Sequence, residues 1–334
     1  LCAGELLISI NNEVEVRKYY QYMPWRIKKR SKAQLKKELT EVSRSVLDDM
    51  VKESQGRQIV IPLSAGNDSR FIASGLRELN VKNVFCFSYG TDNNFEVETA
   101  KNVAEHLKYP WLFIPLSISS QRKIFSEPSF KDFWKFSDTL SNNPVLIDYS
   151  AVKMLKQSGK ISKDAIFVNG NSGDFITGGH IDAGFSNDNI LSIKQLTKSI
   201  FNKHYSLWGC LKSEVNISKI HDELENSILN LIDYYGLTLN DLSEIGENIE
   251  WYGRQSKIVT KTQRSYEFHG YEWRLPMWDP VYMDFWESVE RKYKLNQLLY
   301  TEMLLENNWG GVWKGVKVNN YSISLDKLKL LRNI

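Results

Sequence analysis

The chain has 334 residues, of which 42% are hydrophobic and 25% charged, with a formal net charge of +3. That length can bury a substantial core, and the composition is that of an ordinary folded domain, which excludes a disordered or fibrous chain. The small net charge gives no warrant for a nucleic-acid footprint, and no apolar run approaches the length of a membrane-spanning helix.

In chain order, the basic cluster Arg26-Ile27-Lys28-Lys29-Arg30-Ser31-Lys32 reads as a solvated loop before a helix. Ser31 is placed to cap that helix, over 32–53, with Leu35, Leu39, Val42, Val46, Leu47 and Met50 at helical spacing. Strands at 58–63, 83–89 and 111–116 then alternate with helices at 69–79 and 95–107. Such alternation predicts an α/β fold, a parallel sheet flanked by helices. Residues 118–163 read as inserted helices and loops before a strand at 165–169. Beyond about residue 188 the strand signals thin out. Ile217, Ile220, Leu224, Ile228, Leu231 and Ile232 recur at helical intervals, so a mostly helical C-terminal region is expected. Six of the ten tryptophans fall late, at 251, 273, 278, 286, 309 and 313. A carbohydrate platform and aromatic packing in a helical core both fit them. Flexible linkers are absent. Cys2, Cys86 and Cys210 form no disulfide or metal framework, which fits a reducing cytoplasm. The chain opens on Leu1 with no initiator methionine, and is read as a piece of a longer protein.

Two loops carry chemistry. Residues 62–69, Pro-Leu-Ser-Ala-Gly-Asn-Asp-Ser, follow the apolar run Gln58-Ile59-Val60-Ile61 and open a helix. Free backbone N–H groups and the positive end of the helix dipole make such a place a phosphate site. The loop lacks the lysine of the Walker motif. An ordinary strand–turn–helix connection is the alternative. The second loop, 168–180, reads Val-Asn-Gly-Asn-Ser-Gly-Asp-Phe-Ile-Thr-Gly-Gly-His after the strand candidate Ala165–Val168. Two glycine-containing loops, each after a strand and each with one aspartate, suit a nucleotide with a divalent metal. Asp68 and Asp174 would be its hard oxygen ligands, although Asp174 also fits a turn or helix cap. A third segment, Glu272-Trp273-Arg274-Leu275-Pro276-Met277-Trp278-Asp279, has no chemistry legible from its residues alone.

The order and spacing of these three segments resemble the synthetase domain of asparagine synthetases, and the first loop resembles the PP-loop of ATP pyrophosphatases. Phe87-Ser88-Tyr89-Gly90, followed by Glu96, Ala100 and Ala104, is similar to the family as well. The resemblance covers nearly the whole chain, from Ala3-Gly4-Glu5-Leu6-Leu7 onward. It implies an adenine nucleotide alpha-hydrolase-like fold over 31–334, with 1–30 a strand remnant that follows a missing glutaminase domain. The implied activity is an ATP-dependent, glutamine-hydrolysing amide ligase that activates a carboxylate as an acyl-adenylate for attack by ammonia. The implied cofactors are ATP and Mg²⁺, with Asp68 and Asp174 on the metal. Leu63, Tyr89, Asn169 and Gly170 match positions around adenine and ribose; Ser64, Ala65, Gly66 and Ser69 lie on the pyrophosphate loop. Lys314 and Lys317 are candidates for the family's C-terminal catalytic lysine. The partners implied are a small carboxylate and a glutaminase domain or subunit supplying ammonia, with no nucleic acid or membrane; a homodimer is compatible. Cys2 lies in the wrong context for the glutaminase nucleophile.

Three departures bear on function. Ala65 stands where the family has glycine; a positive φ there would cost about 1 kcal/mol. Asn171 replaces a glutamate, and asparagine is no general base. His180 replaces a tyrosine; an imidazole titrating near neutrality is a candidate for the missing proton transfer, or a residue that only hydrogen-bonds in the loop. The departures resemble a family branch found with bacterial surface-polysaccharide genes, so the acceptor is expected to be aspartate or a uronic acid. A nucleic-acid-modifying or thiolating PP-loop enzyme would need a basic surface or a cysteine pair, and neither is evident. Loss of the glutamate also admits a non-catalytic nucleotide-binding module.

Overall fold

The computed structural model describes residues 1–92, 94–140, 142–181, 192–206 and 208–315. A hairpin comes first: β1 (Glu5–Ile10) pairs antiparallel with β2 (Glu13–Lys18), Glu5 opposite Lys18 through Ile10 opposite Glu13. Asn11 and Asn12 hold φ of 51° and 66°, the left-handed pair that a tight hairpin turn requires. The sequence suggests only the first of these strands; the Val14 and Val16 alternation is the signal for the second.

Ile59-Val60-Ile61 and Val84-Phe85-Cys86-Phe87 are apolar at every position, as strands covered on both faces must be. They lie in β3 (Ile59–Pro62) and β4 (Val84–Gly90), which join β5 (Trp111–Pro115), β6 (Ile166–Val168) and β7 (Glu272–Arg274). The order is β5-β4-β3-β6-β7, and every pairing is parallel. The expected parallel sheet is therefore observed, within a residue or two at each strand. β7 is the difference. Glu-Trp-Arg carries no apolar run, and only its pairing with β6 makes it a strand.

Three helices carry the first half of the fold: α1 (Lys32–Ser54), α2 (Asn67–Glu78) and α3 (Phe95–His106). Ser31 caps α1 in a reciprocal box with Gln34, and Asn94 caps α3 at Val97. Leu35, Leu39, Leu47, Ile72, Leu76 and Val103 from these helices meet Ile59, Ile61 and Cys86 on one face of the sheet. Val60, Phe85, Phe87 and Phe167 point the other way, against Val152, Leu155, Tyr266 and Tyr271. Each such side chain taken from water contributes roughly 1.5–3 kcal/mol. A separate helical layer, 193–200, 214–235 and 242–250, closes on Leu196, Ile200, Leu224, Ile228 and Ile245. Trp251, Trp286, Trp309 and Trp313 are buried, so these late tryptophans are core. Among the described residues no helix is long and apolar enough to cross a membrane.

His269 is buried at the end of the helix 264–268, with its ring 5.4 Å from that of Tyr149 and its Nε2 without a hydrogen-bond partner among the described residues. Burial, with Lys156 beside it, holds its pKa down to about 4. The unfolded chain therefore binds this proton more tightly than the folded one. The stability contributed by the neutral ring is complete above about pH 6.5 and is lost as pH falls through about 4. His269→Phe is expected to remove this acid limb. Melting temperatures of both proteins between pH 7 and 4 check it: parallel curves would contradict the assignment.

Candidate active site

The sheet changes direction between β3 and β6: the chain winds one way through β4 and β5, then returns to β6 and β7 on the other side. Loops leaving the carboxyl ends of two such strands part and leave a crevice. Both glycine-containing loops open there.

The first loop is tied back on itself. Leu63 N donates to Phe87 O at 2.8 Å, and Ser88 Oγ donates to Leu63 O at 2.7 Å. Ser64 N donates to Ser69 Oγ at 3.1 Å, and Gly66 N to Ser64 Oγ at 3.2 Å. Gly66 provides no side-chain cap for α2, so the helix presents first-turn N–H groups to an incoming anion. Ala65 is buried, and Arg70 Nη2 donates to its carbonyl at 3.0 Å. Its φ is not positive, so the strain foreseen for alanine at this position is absent. A cavity of about 330 Å³ opens above the loop. Leu63, Ser64, Gly66, Asp68, Ser69, Tyr89, Asn169 and Gly170 line it, together with Asp148, Asn171 and Thr262.

The second loop sits directly on Asp68. A Cβ on Gly170 would lie 2.4 Å from Asp68 Cβ, and one on Gly173 would lie 2.4 Å from Asp68 Cγ. Only glycine permits this approach. Asp68 Oδ1 is closed off from solvent and has no hydrogen-bond partner among the described residues. Burial, then the neighbouring Asp174 charge, pushes the Asp68 carboxyl up to about 8. Asp174 Oδ1 accepts from Phe175 N at 2.8 Å, and His180 Nε2 lies 2.8 Å from Asp174 Oδ2. Burial acts to raise Asp174, but the His180 bond outweighs it and leaves the carboxyl below its ordinary value.

These residues fit magnesium: two adjoining hard carboxylates, one with an orphaned oxygen. Among the described residues no group of three or more histidine, cysteine or acidic side chains could hold a metal alone. An ion held by one or two carboxylates completes its coordination with phosphate oxygens and water.

His180 differs from the reading of it as a base near neutrality. Its Nδ1 bonds Glu250 Oε1 while Nε2 bonds Asp174. Burial acts to lower its pKa, but the two carboxylates raise it to about 9. The ring is an imidazolium at neutral pH, with no free acceptor nitrogen. Glu250 is itself held well below the carboxylate range: burial opposes this, and His180, His204 and Lys203 outweigh it.

Supporting residues from distant segments were not legible in the sequence. Trp251–Val259 is π-helical and continues into a 3₁₀ turn, Thr260–Gln263. From it Gln255 accepts from Ser172 Oγ at 3.0 Å, Thr262 from Asn171 Nδ2 at 2.6 Å and Gln263 from Asn169 Nδ2 at 2.7 Å. Tyr89 bonds Asp148 Oδ1, and Tyr266 donates to Asp148 Oδ2 at 2.6 Å. A π-helical stretch is a feature that marks functional sites in general, and it has no sequence signature. Lys314 is exposed and does not line the cavity; its backbone N donates to Asn308 Oδ1 at 3.2 Å. Lys317 lies outside the described residues. The third segment is structural: Arg57 pairs with Glu272 at 2.7 Å, Arg274 with Glu53 at 3.3 Å, and Asp279 caps the following helix.

An open parallel sheet with two glycine-containing loops meeting at its switch point is the architecture of a nucleotide-binding α/β protein. The profile of the asparagine synthase family matches residues 42–305, and the chain belongs to that family of ATP-dependent ligases. No curated protein sequence matches it. Among solved structures, an NH3-dependent NAD synthetase from Campylobacter jejuni is 16% identical, covering 70% of this chain and 97% of its own, with a TM-score of 0.31. An NMN synthetase from Francisella tularensis is 14% identical, covering 72% and 94%, with a TM-score of 0.30.

Gly170→Ala forces Asp68 to move, because its Cβ would stand 2.4 Å from Asp68 Cβ. Overpacking of this kind costs about 1–3 kcal/mol. Urea denaturation should show that loss, and ATP–Mg²⁺ should protect the variant less than the parent. Unchanged stability with unchanged protection would contradict the close approach.

Proposed function

We propose that the chain couples ATP cleavage to amide formation on a carboxylic acid through an acyl-adenylate. The observation that supports this best is the packing of Asp68 against Gly170 and Gly173 below the cavity at the switch point. In the first step a carboxylate oxygen of the acceptor bonds to the α-phosphorus. The bond from that phosphorus to the α–β bridging oxygen breaks, and pyrophosphate leaves. In the second step the nitrogen of ammonia bonds to the acyl carbon, the acyl C–O bond breaks, AMP leaves, and a proton passes to solvent.

The protein's contribution is positioning and charge. The first-turn amides of α2, with Ser64 and Ser69, receive the departing pyrophosphate. Leu63 and Tyr89 face the nucleoside, with Tyr89 fixed by Asp148. Asp68 and Asp174 would hold magnesium, which when bound supplies positive charge to the phosphates. Two adjoining carboxylates, one raised to about 8, are what a cation would relieve. Asn171 is held on Thr262 and His180 between two carboxylates, so neither serves as the base. The acceptor is a carboxylate, with aspartate and a uronic acid the two classes implied by the family. Ammonia would come from a glutaminase domain or subunit.

Pyrophosphate release with ATP, Mg²⁺, ammonium and aspartate or glucuronate tests this reading. Asp68→Asn should lower the rate on the order of 10²-fold, the scale of losing one preorganised electrostatic group. A variant that turned over like the parent would overturn it.

A further inference from the structure

A cation lies behind the loop between β3 and α2, and the steps above make no use of it. Arg70, on α2, is fully buried, and its Nη2 donates to the Ala65 carbonyl at 3.0 Å. A guanidinium keeps its charge in a protein, and a charge taken out of water is costly. The guanidinium carbon stands 5.3 Å from the centre of the Trp313 ring. The segment that carries Trp313 is built onto α2. Trp309 stacks on Phe71 with ring centres 5.8 Å apart, and Trp313 Nε1 donates to Ser74 Oγ at 3.2 Å. Gly310 holds φ of 60°, and a Cβ on it would stand 2.4 Å from Leu107 Cδ2. Asn308 Oδ1 closes the turn by accepting from the Trp313 and Lys314 amides. This segment therefore reaches the loop from behind, through the Trp313 ring.

A trans peptide is planar, so its C=O and N–H point in opposite directions. The Ala65 carbonyl is turned inward onto Arg70. The N–H of the same peptide, that of Gly66, is therefore turned outward. It donates to Ser64 Oγ at 3.2 Å, and Ser64 and Gly66 both line the nucleotide cavity.

We propose that Arg70 is a positioning residue for the pyrophosphate group: it fixes the Gly66 N–H toward the cavity and, from behind the same peptide, supplies the positive charge that this loop has no lysine to supply from in front. Trp313 holds the guanidinium in that place. The inference rests on the ligase reading above, in which this loop receives pyrophosphate. A donor whose own carbonyl is bonded to a cation is polarised and strengthened. A donor already held in place needs no reorganisation when charge develops in front of it.

The test uses the full chain, with inorganic pyrophosphate and AMP as probes in the presence of Mg²⁺. Calorimetric titration reads binding; pyrophosphate release with ATP, ammonium and aspartate or glucuronate reads turnover. Arg70→Met keeps an unbranched side chain under Trp313 and removes the charge and the donors. It should weaken pyrophosphate binding about tenfold or more, the scale of a lost hydrogen bond to a charged group, and leave AMP binding as in the parent. A role in packing alone would weaken both ligands together. Equal losses for the two, or pyrophosphate binding like the parent's, would overturn the proposal. Where melting curves show Arg70→Met unfolded, a crystal structure of the parent with pyrophosphate decides. Gly66 N within hydrogen-bond reach of a pyrophosphate oxygen, with Ala65 O still on Arg70, is the expected result; Gly66 N turned elsewhere would overturn the proposal. Equal turnover by the parent and Arg70→Met would overturn it and leave the ligase reading standing. Arg70-dependent pyrophosphate binding with no release from ATP and either acid would overturn the ligase reading and leave the role of Arg70 in pyrophosphate binding standing.

Discussion

The contact between Asp68 and the backbone at Gly170 and Gly173 is the constraint on which the rest depends. It brings the amino end of α2 against the loop after β6, two segments about a hundred residues apart, and it tolerates no side chain on either glycine. The parallel β3–β6 pairing makes this possible by placing both loops at the same end of adjacent strands. The cavity, the exposed amides of α2 and the paired carboxylates follow from that one approach.

Charge is arranged around the same contact as a chain whose signs alternate from Asp174 outward. Asp68 is raised by burial and by Asp174, Asp174 is bound by His180, His180 by Glu250, and Glu250 by Lys203 and Arg254. Buried charges persist where each has a partner. At the other end Asp68 lines the nucleotide cavity, with its Oδ1 unpaired among the described residues. The Lys203 and Arg254 end lines a cavity of about 550 Å³ on the His180 side of the second loop.

The irregular segment 251–263 matches the irregular loop it supports. Ser172 is held at φ 69°, a strained value for a residue with a side chain, and its hydroxyl bonds Gln255. Asn169 and Asn171 are fixed by Gln263 and Thr262. A regular α-helix would place these three side chains at other rotations, so the wider π-turn is part of how the loop is held.

The sequence by itself determined the elements and the two small-residue loops that meet at the switch point. Apolar runs at Ile59–Ile61 and Val84–Phe87, the cap at Ser31 and the small-residue loops after two strands are local patterns, and local patterns fix backbone conformation. Asp68 and Asp174 stand out in the sequence because each sits on such a loop. The tertiary structure decided everything that depends on distance between separate segments. It made Glu272–Arg274 an edge strand and relieved Ala65 of strain. It left Lys314 outside the cavity, and it converted His180 from a neutral base into a clamped cation. The physical reason is the same in each case: a side chain's charge and reach are set by the groups packed around it. For His180 those groups are Asp174 and Glu250, and the second stands 70 residues away along the chain.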